Sequence, residues 1–449
     1  MSTADGDIEG ATTAAGVPSM ENAENKDEAT AAVVGTKPKK IIRRRRRRAV
    51  EDKKPVVDPV LLEKVLRNSN LPSAYSFEIL KTVERILELD ATHVALQMPE
   101  GLLMYATVLA DIFRRLAPCC TQVSVLGDVT YGACCIDDLG AQALGANLLV
   151  HYGHSCLVPL QHTTIPCLYV FVEIQMDIPH MVDCLDATVV ATGGGSDSKT
   201  KPFVYLLGTV QFRHALVPTK RLLQEKGYQH VVIPQAKPLS PGEVLGCTSP
   251  RLVQHQETDA KSAICCFLAD GRFHLESTLI SNAKNGIQTF YRYDPYSKAM
   301  TEEAYDHSAM HGLRQSAIQT AATAQTFGIL MGTLGRQGNP AIVQRIRQAL
   351  NQRGKRHFLM LVSEITPAKL KLFGNKVDAW VQVACPRLSV DWGHYLSSKP
   401  VLSPYELFVS LEETSWQEEY PMDFYSHAGG QWSNYFQENR DRSYQPAQA

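Results

Sequence analysis

Read for apolar periodicity, the chain from about residue 60 to 425 repeats one order of elements three times. In the first unit an apolar run over 94–97 predicts a strand, and Pro99 and Gly101 follow it. Leu102, Leu103, Ala106, Leu109, Ile112, Phe113 and Leu116 then form one helical stripe, and a second strand is predicted over 123–126. In the second unit a strand over 203–207 meets Gly208, a helix carrying Leu222 and Leu223 stops at Gly227, and a strand over 230–233 follows. In the third, a strand over 327–331 meets Gly332; Pro340 opens a helix with Ile342, Val343, Ile346 and Leu350, Gly354 closes it, and a strand over 358–362 follows. Further apolar runs over 148–150, 168–172, 263–268 and 379–383 extend the units. Strand-helix-strand order pairs strands in parallel, because the helix carries the chain back to the end where the first strand began. The predicted fold class is therefore α/β, with three related small α/β domains over 59–198, 199–322 and 323–425, each with a parallel sheet. An arm over 1–58 precedes them and a polar tail over 426–449 follows. The repeat lies in the order of elements and not in residue identity.

Composition alters this picture mainly at the ends. The 449 residues suit about three domains, and 44% hydrophobic with 20% charged residues allows a sizeable core. The 45 basic and 46 acidic residues leave a net charge of -1, so there is no global field to steer nucleic acid or membrane, and any electrostatic function is local. No apolar run approaches the roughly 18 residues that span a bilayer, and the start lacks the basic-then-apolar order of a secretory signal. The expectation is a cytoplasmic protein without a membrane partner, its eleven cysteines thiols or metal ligands. The first 36 residues hold seven acidic groups and one lysine, which predicts a segment that does not fold. Lys37, Lys39, Lys40 and the run from Arg43 to Arg48 then repel one another. That block reads either as a solvated tail or as a nuclear-import signal, with a nuclear fraction, or an arm that touches ribosomal RNA.

In parallel sheets, ligands sit beyond the carboxyl ends of the strands. Three cysteines stand there, one per predicted domain: Cys134 in Gly127-Asp-Val-Thr-Tyr-Gly-Ala-Cys-Cys, Cys247 in Gly242-Glu-Val-Leu-Gly-Cys-Thr-Ser-Pro, and Cys385 in Val383-Ala-Cys-Pro-Arg. Small neighbours leave room for a bulky group, and Pro386 stiffens the third loop. Two readings stay open. Each is an ordinary buried thiol, or the domains meet around one centre and three thiolates hold three irons of a 4Fe-4S cluster, the fourth iron remaining open. The chain contains no C-x-x-C, which counts against a zinc ribbon, a thioredoxin-type site or ferredoxin ligation. Cys265 and Cys266 fall inside a strand, Cys119 and Cys120 end a helix, and Cys135 points away from Cys134 if its backbone is extended. His151-Tyr-Gly-His-Ser-Cys156 reads as a substrate or metal site or as a loop network. Gly332-Thr-Leu-Gly-Arg-Gln-Gly338 puts Arg336 at a helix N-terminus, which suits a carboxylate or phosphate, but it lacks the Lys-Ser or Lys-Thr ending of a P-loop. Asp270-Gly-Arg-Phe-His-Leu-Glu276 reads as a strand-end loop or a salt-bridged turn.

Several long stretches resemble one family. Ala95-Leu-Gln-Met-Pro-Glu-Gly-Leu-Leu, Gly127-Asp-Val-Thr-Tyr-Gly-Ala-Cys-Cys, His151-Tyr-Gly-His-Ser-Cys, Pro238-Leu-Ser-Pro-Gly-Glu-Val-Leu-Gly-Cys-Thr-Ser-Pro, Asp270-Gly-Arg-Phe-His-Leu-Glu-Ser, Tyr291-Arg-Tyr-Asp-Pro-Tyr-Ser-Lys and Val381-Gln-Val-Ala-Cys-Pro-Arg-Leu-Ser are similar to the eukaryotic diphthamide synthesis enzymes of the subunit-one type. The likeness spans about 72–425 and leaves the arm outside. It implies three α/β domains around a central 4Fe-4S cluster ligated by Cys134, Cys247 and Cys385. It also implies a transferase of non-standard radical S-adenosylmethionine chemistry, for this chain also lacks the C-x-x-x-C-x-x-C loop. In that chemistry S-adenosylmethionine is the substrate. Its amino and carboxylate groups chelate the open iron, and its 3-amino-3-carboxypropyl group passes to a histidine of translation elongation factor 2, leaving methylthioadenosine. Further implications are a heterodimer with the related second subunit, a small CSL-type zinc-finger electron donor, and no catalytic side chain beyond the cluster ligands.

Two other classes remain to be weighed. A non-catalytic scaffold subunit would use the same fold without its own chemistry; the three motif cysteines favour the catalytic role. A conventional methyltransferase needs a glycine-rich first turn with a following acidic residue, whereas the first unit offers Met98-Pro-Glu-Gly.

Overall fold

The computed structural model describes residues 57–128, 131–194, 201–253, 262–287, 289–426 and 429–436. Residues 1–56 of the arm expected over 1–58, with its basic block, and the expected boundary at 198/199 lie outside these residues. Three sheets form the frame. The first runs Gln122–Val125, His93–Gln97, Leu148–Tyr152, Cys167–Val170, with every pairing parallel. The third runs Arg356–Val362, Thr326–Gly332, Ala379–Val383, Val401–Leu402, likewise parallel. The second runs Ala299–Glu303, Thr289–Asp294, Ala263–Leu268, Phe203–Gly208, Val231–Val232; its last four strands are parallel and Ala299–Glu303 folds back as an antiparallel edge. In all three the strand that comes first in the chain has the second on one side and the third on the other. The direction of winding reverses between the first and third strands, which is where open α/β sheets leave a crevice at their carboxyl ends.

The central strands are largely apolar and buried because both faces are covered. Val204 and Leu206 enter one core while Phe203, Tyr205 and Leu207 enter another. Phe327 and Ile329 likewise separate from Leu330. Cys266 and Cys265 take part in this alternation, one in each core and neither exposed. The expected helix stops hold: Gly227 and Gly354 take φ values of +92° and +63°, which cost a glycine little.

Several elements differ from the sequence reading. The stripe over 102–116 is two helices, Glu100–Leu103 and Ala106–Leu116. Between them Tyr105 turns its ring edge-on to Phe77, at 5.4 Å. Asp270 and its neighbours are not a free loop, since helix Phe273–Ser281 begins there and buries Leu275, Leu279 and Ile280. The hairpin Thr289–Asp294 with Ala299–Glu303 was not anticipated, although Tyr291 and Tyr293 alternate inward, as a half-buried strand requires. Helix Ile178–Val189 packs Met181, Leu185 and Val189 with the second sheet, and helix His307–Ala322 packs Met310, Ile318 and Ala321 with the third. The chain therefore hands each of these sheets a helix from the preceding stretch, so the boundary expected at 322/323 falls between a helix and its own sheet. The segment expected as a polar tail from 426 is partly docked: Trp432 and Ser433 are buried, and the Arg345 guanidinium donates to the Ser433 carbonyl at 2.7 Å. Among the described residues no helix is long and apolar enough to cross a membrane.

Over the third sheet, Arg314 meets the carboxylate of Glu406 through two bonds of 2.6 and 2.7 Å, both side chains buried. Tyr420 and the Ser403 amide complete the carboxylate's partners at 2.8 Å each. Removing one buried partner strands the other charge. Arg314→Met should therefore cost about 3–5 kcal/mol in urea unfolding, and the double variant Arg314→Met/Glu406→Leu should recover most of that loss.

Candidate metal centre

Cys134, Cys247 and Cys385 line one cavity of about 580 Å³ at the strand ends. Each comes from a different sheet, but by different routes. Cys134 and Cys247 lie in the connections after the second strands, whereas Cys385 directly follows the third strand Ala379–Val383 and caps helix Pro386–Leu396. Small residues line the wall beside them: Gly132, Ala133 and Gly246. Gly246 is required, because a Cβ there would overlap the Phe273 ring.

Hydrogen bonds hold each loop. The Gln97 side-chain amide donates to the Cys135 carbonyl at 2.6 Å, and its oxygen accepts from the Asp137 amide and pairs with His151 Nδ1, both at 3.0 Å. Gln382 repeats the device in the third sheet: its amide donates to the Cys385 carbonyl at 2.8 Å and its oxygen accepts from the Ala384 amide at 3.0 Å. In the second sheet the Leu245 amide donates to the Thr248 carbonyl at 2.9 Å, turning the chain through Cys247, while the Ser277 hydroxyl donates to the Leu245 carbonyl at 2.5 Å.

Other side chains tie the loops to one another. Arg387, two residues after Cys385, donates to the Gly246 and Phe273 carbonyls at 3.1 and 2.7 Å and pairs with Glu276 and Asp391. The Arg336 guanidinium grips buried Asp138 with two bonds of 2.7 Å, and the Arg336 amide donates to the Cys134 carbonyl at 3.0 Å. Gly335, at φ +54°, lies so close to the Cys135 backbone that a Cβ would overlap it. The Ser155 hydroxyl donates to buried Glu243, which joins the first unit to the second.

The thiols are all pushed up. For Cys134 the causes are its hydrogen bond to Cys135, then burial, then the charges of Cys135, Cys385 and Cys247. Burial leads for Cys247, with Asp423 and Cys385 adding to it. Burial also takes Cys385 to about 11, against a stabilising backbone amide. Three converging thiolates cannot coexist in a low-dielectric cavity without a cation, so a multiply charged metal group suits this donor set and its binding would release protons. Among the described residues no three His, Cys, Asp or Glu side chains are grouped to hold a single metal ion. Separate thiols on separate walls match a cluster, in which each iron takes its own ligand.

Two expectations change here. Cys135 does not point away: its amide closes a turn onto the Gly132 carbonyl at 2.9 Å, so the backbone is not extended, and its sulfur accepts from Cys134 and from the Gln337 amide at 3.0 Å. Arg336 is not an anion receptor, because Asp138 occupies it. The His151–Cys156 stretch acts as a loop network. His151 is buried and held neutral, burial and then His154 lowering it to about 3, and it braces Gln97; the Cys156 sulfur accepts from the Tyr169 hydroxyl at 2.7 Å. Sequence reasoning missed Asp138, Gln97, Gln382 and His274. His274 lines the cavity and is lowered to about 3 by burial, His154 and Arg387. It also missed Tyr425, which is pushed up by burial and by the nearby Cys134 and Cys247 charges. The Cys-Pro-Arg motif was the one available signal for Arg387.

Fold and site together define a three-sheet α/β protein whose strand ends converge three thiols on one cavity. Residues 98–421 match the family of diphthamide synthesis proteins. The chain is 52% identical over 365 residues to 2-(3-amino-3-carboxypropyl)histidine synthase subunit 1 of Gallus gallus, covering 81% of this chain and 83% of that protein. It is 48% identical over 374 residues to the Homo sapiens protein of the same name, covering 82% and 80%. Among solved structures, Dph2 from Pyrococcus horikoshii with a 4Fe-4S cluster superposes with a TM-score of 0.60 at 26% identity, covering 78% of this chain and 93% of that one. The chain belongs to the diphthamide synthesis protein family, in its 2-(3-amino-3-carboxypropyl)histidine synthase subunit 1 branch.

The Arg336–Asp138 lock is pH-dependent in a defined direction. Burial raises the Asp138 carboxyl, but Arg336 and Thr164 outweigh it and hold it below its usual range. A lowered folded-state value stabilises above the ordinary aspartate range and loses that contribution as pH falls through the lowered value. Asp138→Asn should cost about 2–4 kcal/mol at pH 7, and in urea titrations the gap to the parent should close below about pH 4.

Proposed function

We propose that this chain is the cluster-bearing, catalytic subunit of a 2-(3-amino-3-carboxypropyl)histidine synthase. It transfers the 3-amino-3-carboxypropyl group of S-adenosylmethionine to a histidine of translation elongation factor 2, the first step of diphthamide formation. The observation that carries the reading is that one thiol from each of three sheets lines a single cavity, at the positions which the sequence resemblance assigns to cluster ligands. A solved relative in the same family crystallised with a 4Fe-4S cluster supports the identity of the group.

Cys134, Cys247 and Cys385 would hold such a cluster, which when bound supplies an open iron for the amino and carboxylate groups of S-adenosylmethionine and a single electron to split its sulfonium bond at the γ-carbon. The chain's own residues do the rest by position. Gln97, Gln382 and the turn at Leu245 fix the three loops. Leu157, Leu245 and Leu334 supply apolar walls that limit water beside a reactive carbon radical. On this reading no side chain need act as base or nucleophile, since the cofactor carries the hard chemistry. A scaffold role would not require the three thiols to share a cavity, which is why the catalytic reading is preferred. The electron comes from an external one-electron donor, on the resemblance a small CSL-type zinc-finger protein, and the site of action is the cytoplasm.

Serine in place of Cys134, Cys247 or Cys385 should weaken the visible absorption of the thiolate-ligated cluster and abolish methylthioadenosine formation while far-UV circular dichroism is kept. Cys265→Ser, inside a strand, should cost about 1–3 kcal/mol of stability and leave the cluster in place. A full cluster in the Cys247 variant would sink the assignment.

The proposed assembly is a heterodimer with the related second subunit, because the substrate is a large folded protein. Multi-angle light scattering of the co-expressed pair should give a one-to-one complex, and the lone chain should modify elongation factor 2 poorly; a fully active lone chain would contradict this.

A further inference from the structure

The cavity that holds the three thiols opens past two large side chains left in solvent. Tyr131, three residues before Cys134, is 60% exposed; Trp392, on the helix that Cys385 caps, is 57% exposed; both line the cavity. One exposed aromatic needs no explanation. Two on the rim of one cavity, one from the loop after the first sheet's strand Gln122–Val125 and one from helix Pro386–Leu396, present flat apolar anchors of the kind on which interfaces concentrate their energy.

Phe273 lines the same cavity but serves the fold: its ring lies against Gly246, and the Arg387 guanidinium stacks over it at 4.3 Å. Phe273 is 42% exposed, whereas Tyr131 and Trp392 are exposed further and, among the described residues, neither ring is covered by a guanidinium. The rim also carries carboxylates: after burial, Glu364, Glu100 and Asp128 are among the causes that push the Tyr131 hydroxyl up, while the Lys369 ammonium donates to the Glu364 carbonyl at 2.9 Å. Glu364 lines the cavity, and it, Glu100 and Asp128 are exposed. None of their carboxylates appears in an ion pair among the described residues. The acidic groups on the Trp392 side are committed, Asp391 being paired with Arg387.

The geometry points to Tyr131 and Trp392, flanked by Asp128 and Glu364, as the docking rim for the histidine-bearing loop of the protein substrate, with cationic residues beside that histidine. This rests on the function proposed above. A small cosubstrate held inside the cavity would leave the outward faces of both rings in water. The group that must arrive from outside is a side chain on a folded protein, and the rim is continuous with the cavity it has to enter. Rim carboxylates and the Trp392 face both attract lysine or arginine next to the target imidazole, and they repel acidic loops, which gives selectivity as well as affinity.

The test uses the full heterodimer with its cluster, and reads the dissociation constant for elongation factor 2 alongside methylthioadenosine produced per histidine modified. Trp392→Ala and Tyr131→Ala should each weaken elongation factor binding about tenfold, and the double variant more. Each should raise methylthioadenosine released per histidine modified, because cleavage then proceeds without a docked acceptor. Trp392→Phe should restore most of the affinity. Glu364→Gln should weaken binding a few-fold and flatten its salt dependence. Leu372→Ala, 85% exposed and away from the cavity lining, should change nothing. Unaltered binding in the double variant overturns the proposal. So does a loss of methylthioadenosine in strict proportion to modification, which would assign the rings to S-adenosylmethionine. Cluster absorption and methylthioadenosine yield of the parent enzyme report on the proposed function independently, and the binding measurement reports on the rim whether or not turnover occurs.

Discussion

Three thiols that burial drives toward the neutral form, and that repel when charged, are held in one cavity by polar ties between the sheets that carry them. Arg387 joins the Cys385 helix to the Cys247 loop through the Gly246 and Phe273 carbonyls. Arg336 joins the third sheet's glycine loop to Asp138 and to the Cys134 carbonyl. Ser155 and Glu243 close the remaining side. Desolvating such groups offsets much of their Coulombic gain, so their worth is less in net stability than in fixing which loops meet. Apolar packing is non-directional, whereas paired guanidinium bonds fix one register between the loops.

The repeated topology explains why the loops can meet at all. Each sheet reverses its winding beside its first strand, and each leaves a crevice at the same end. The cysteines reach that end by unequal routes, after the second strand in two sheets and after the third in the other. Equivalence is therefore spatial. Gln97 and Gln382 make the point again, since each stands at the end of a buried strand and clamps a cysteine-loop carbonyl, yet one comes from a first strand and the other from a third.

Chemistry and fold also divide the cysteines. Cys265 and Cys266 spend their burial inside two cores, surrounded by apolar side chains, and have no route to a ligand. Cys134, Cys247 and Cys385 are half-buried and line one cavity. Because their thiols are raised, any metal group bound there would release protons, and Cys135, whose sulfur accepts from Cys134, would share in that release. The C-terminal segment contributes to the same region, with Tyr425 close to Cys134 and Cys247 and Trp432 buried in the third core.

Much of this was legible in the chain. Largely apolar strands such as Ala263–Leu268 and Ala379–Val383 announced sheets covered on both faces, glycines 227 and 354 announced helix stops, and the cysteine motifs at strand ends marked the candidate donors. Those features are local, because they follow from hydrophobic periodicity and backbone freedom within a few residues. What no local pattern contained was partnership across the chain. Arg336 looked like an anion receptor until Asp138, 198 residues away, took it. Cys135 was expected to face away until a turn onto Gly132 brought its sulfur to Cys134. Helices Ile178–Val189 and His307–Ala322 packed on the sheets that follow them. Sequence alone carried most of the strands, the helix stops and the candidate thiols; only the tertiary structure decided which charges pair and which faces meet, since those depend on distances that close after the sheets have packed.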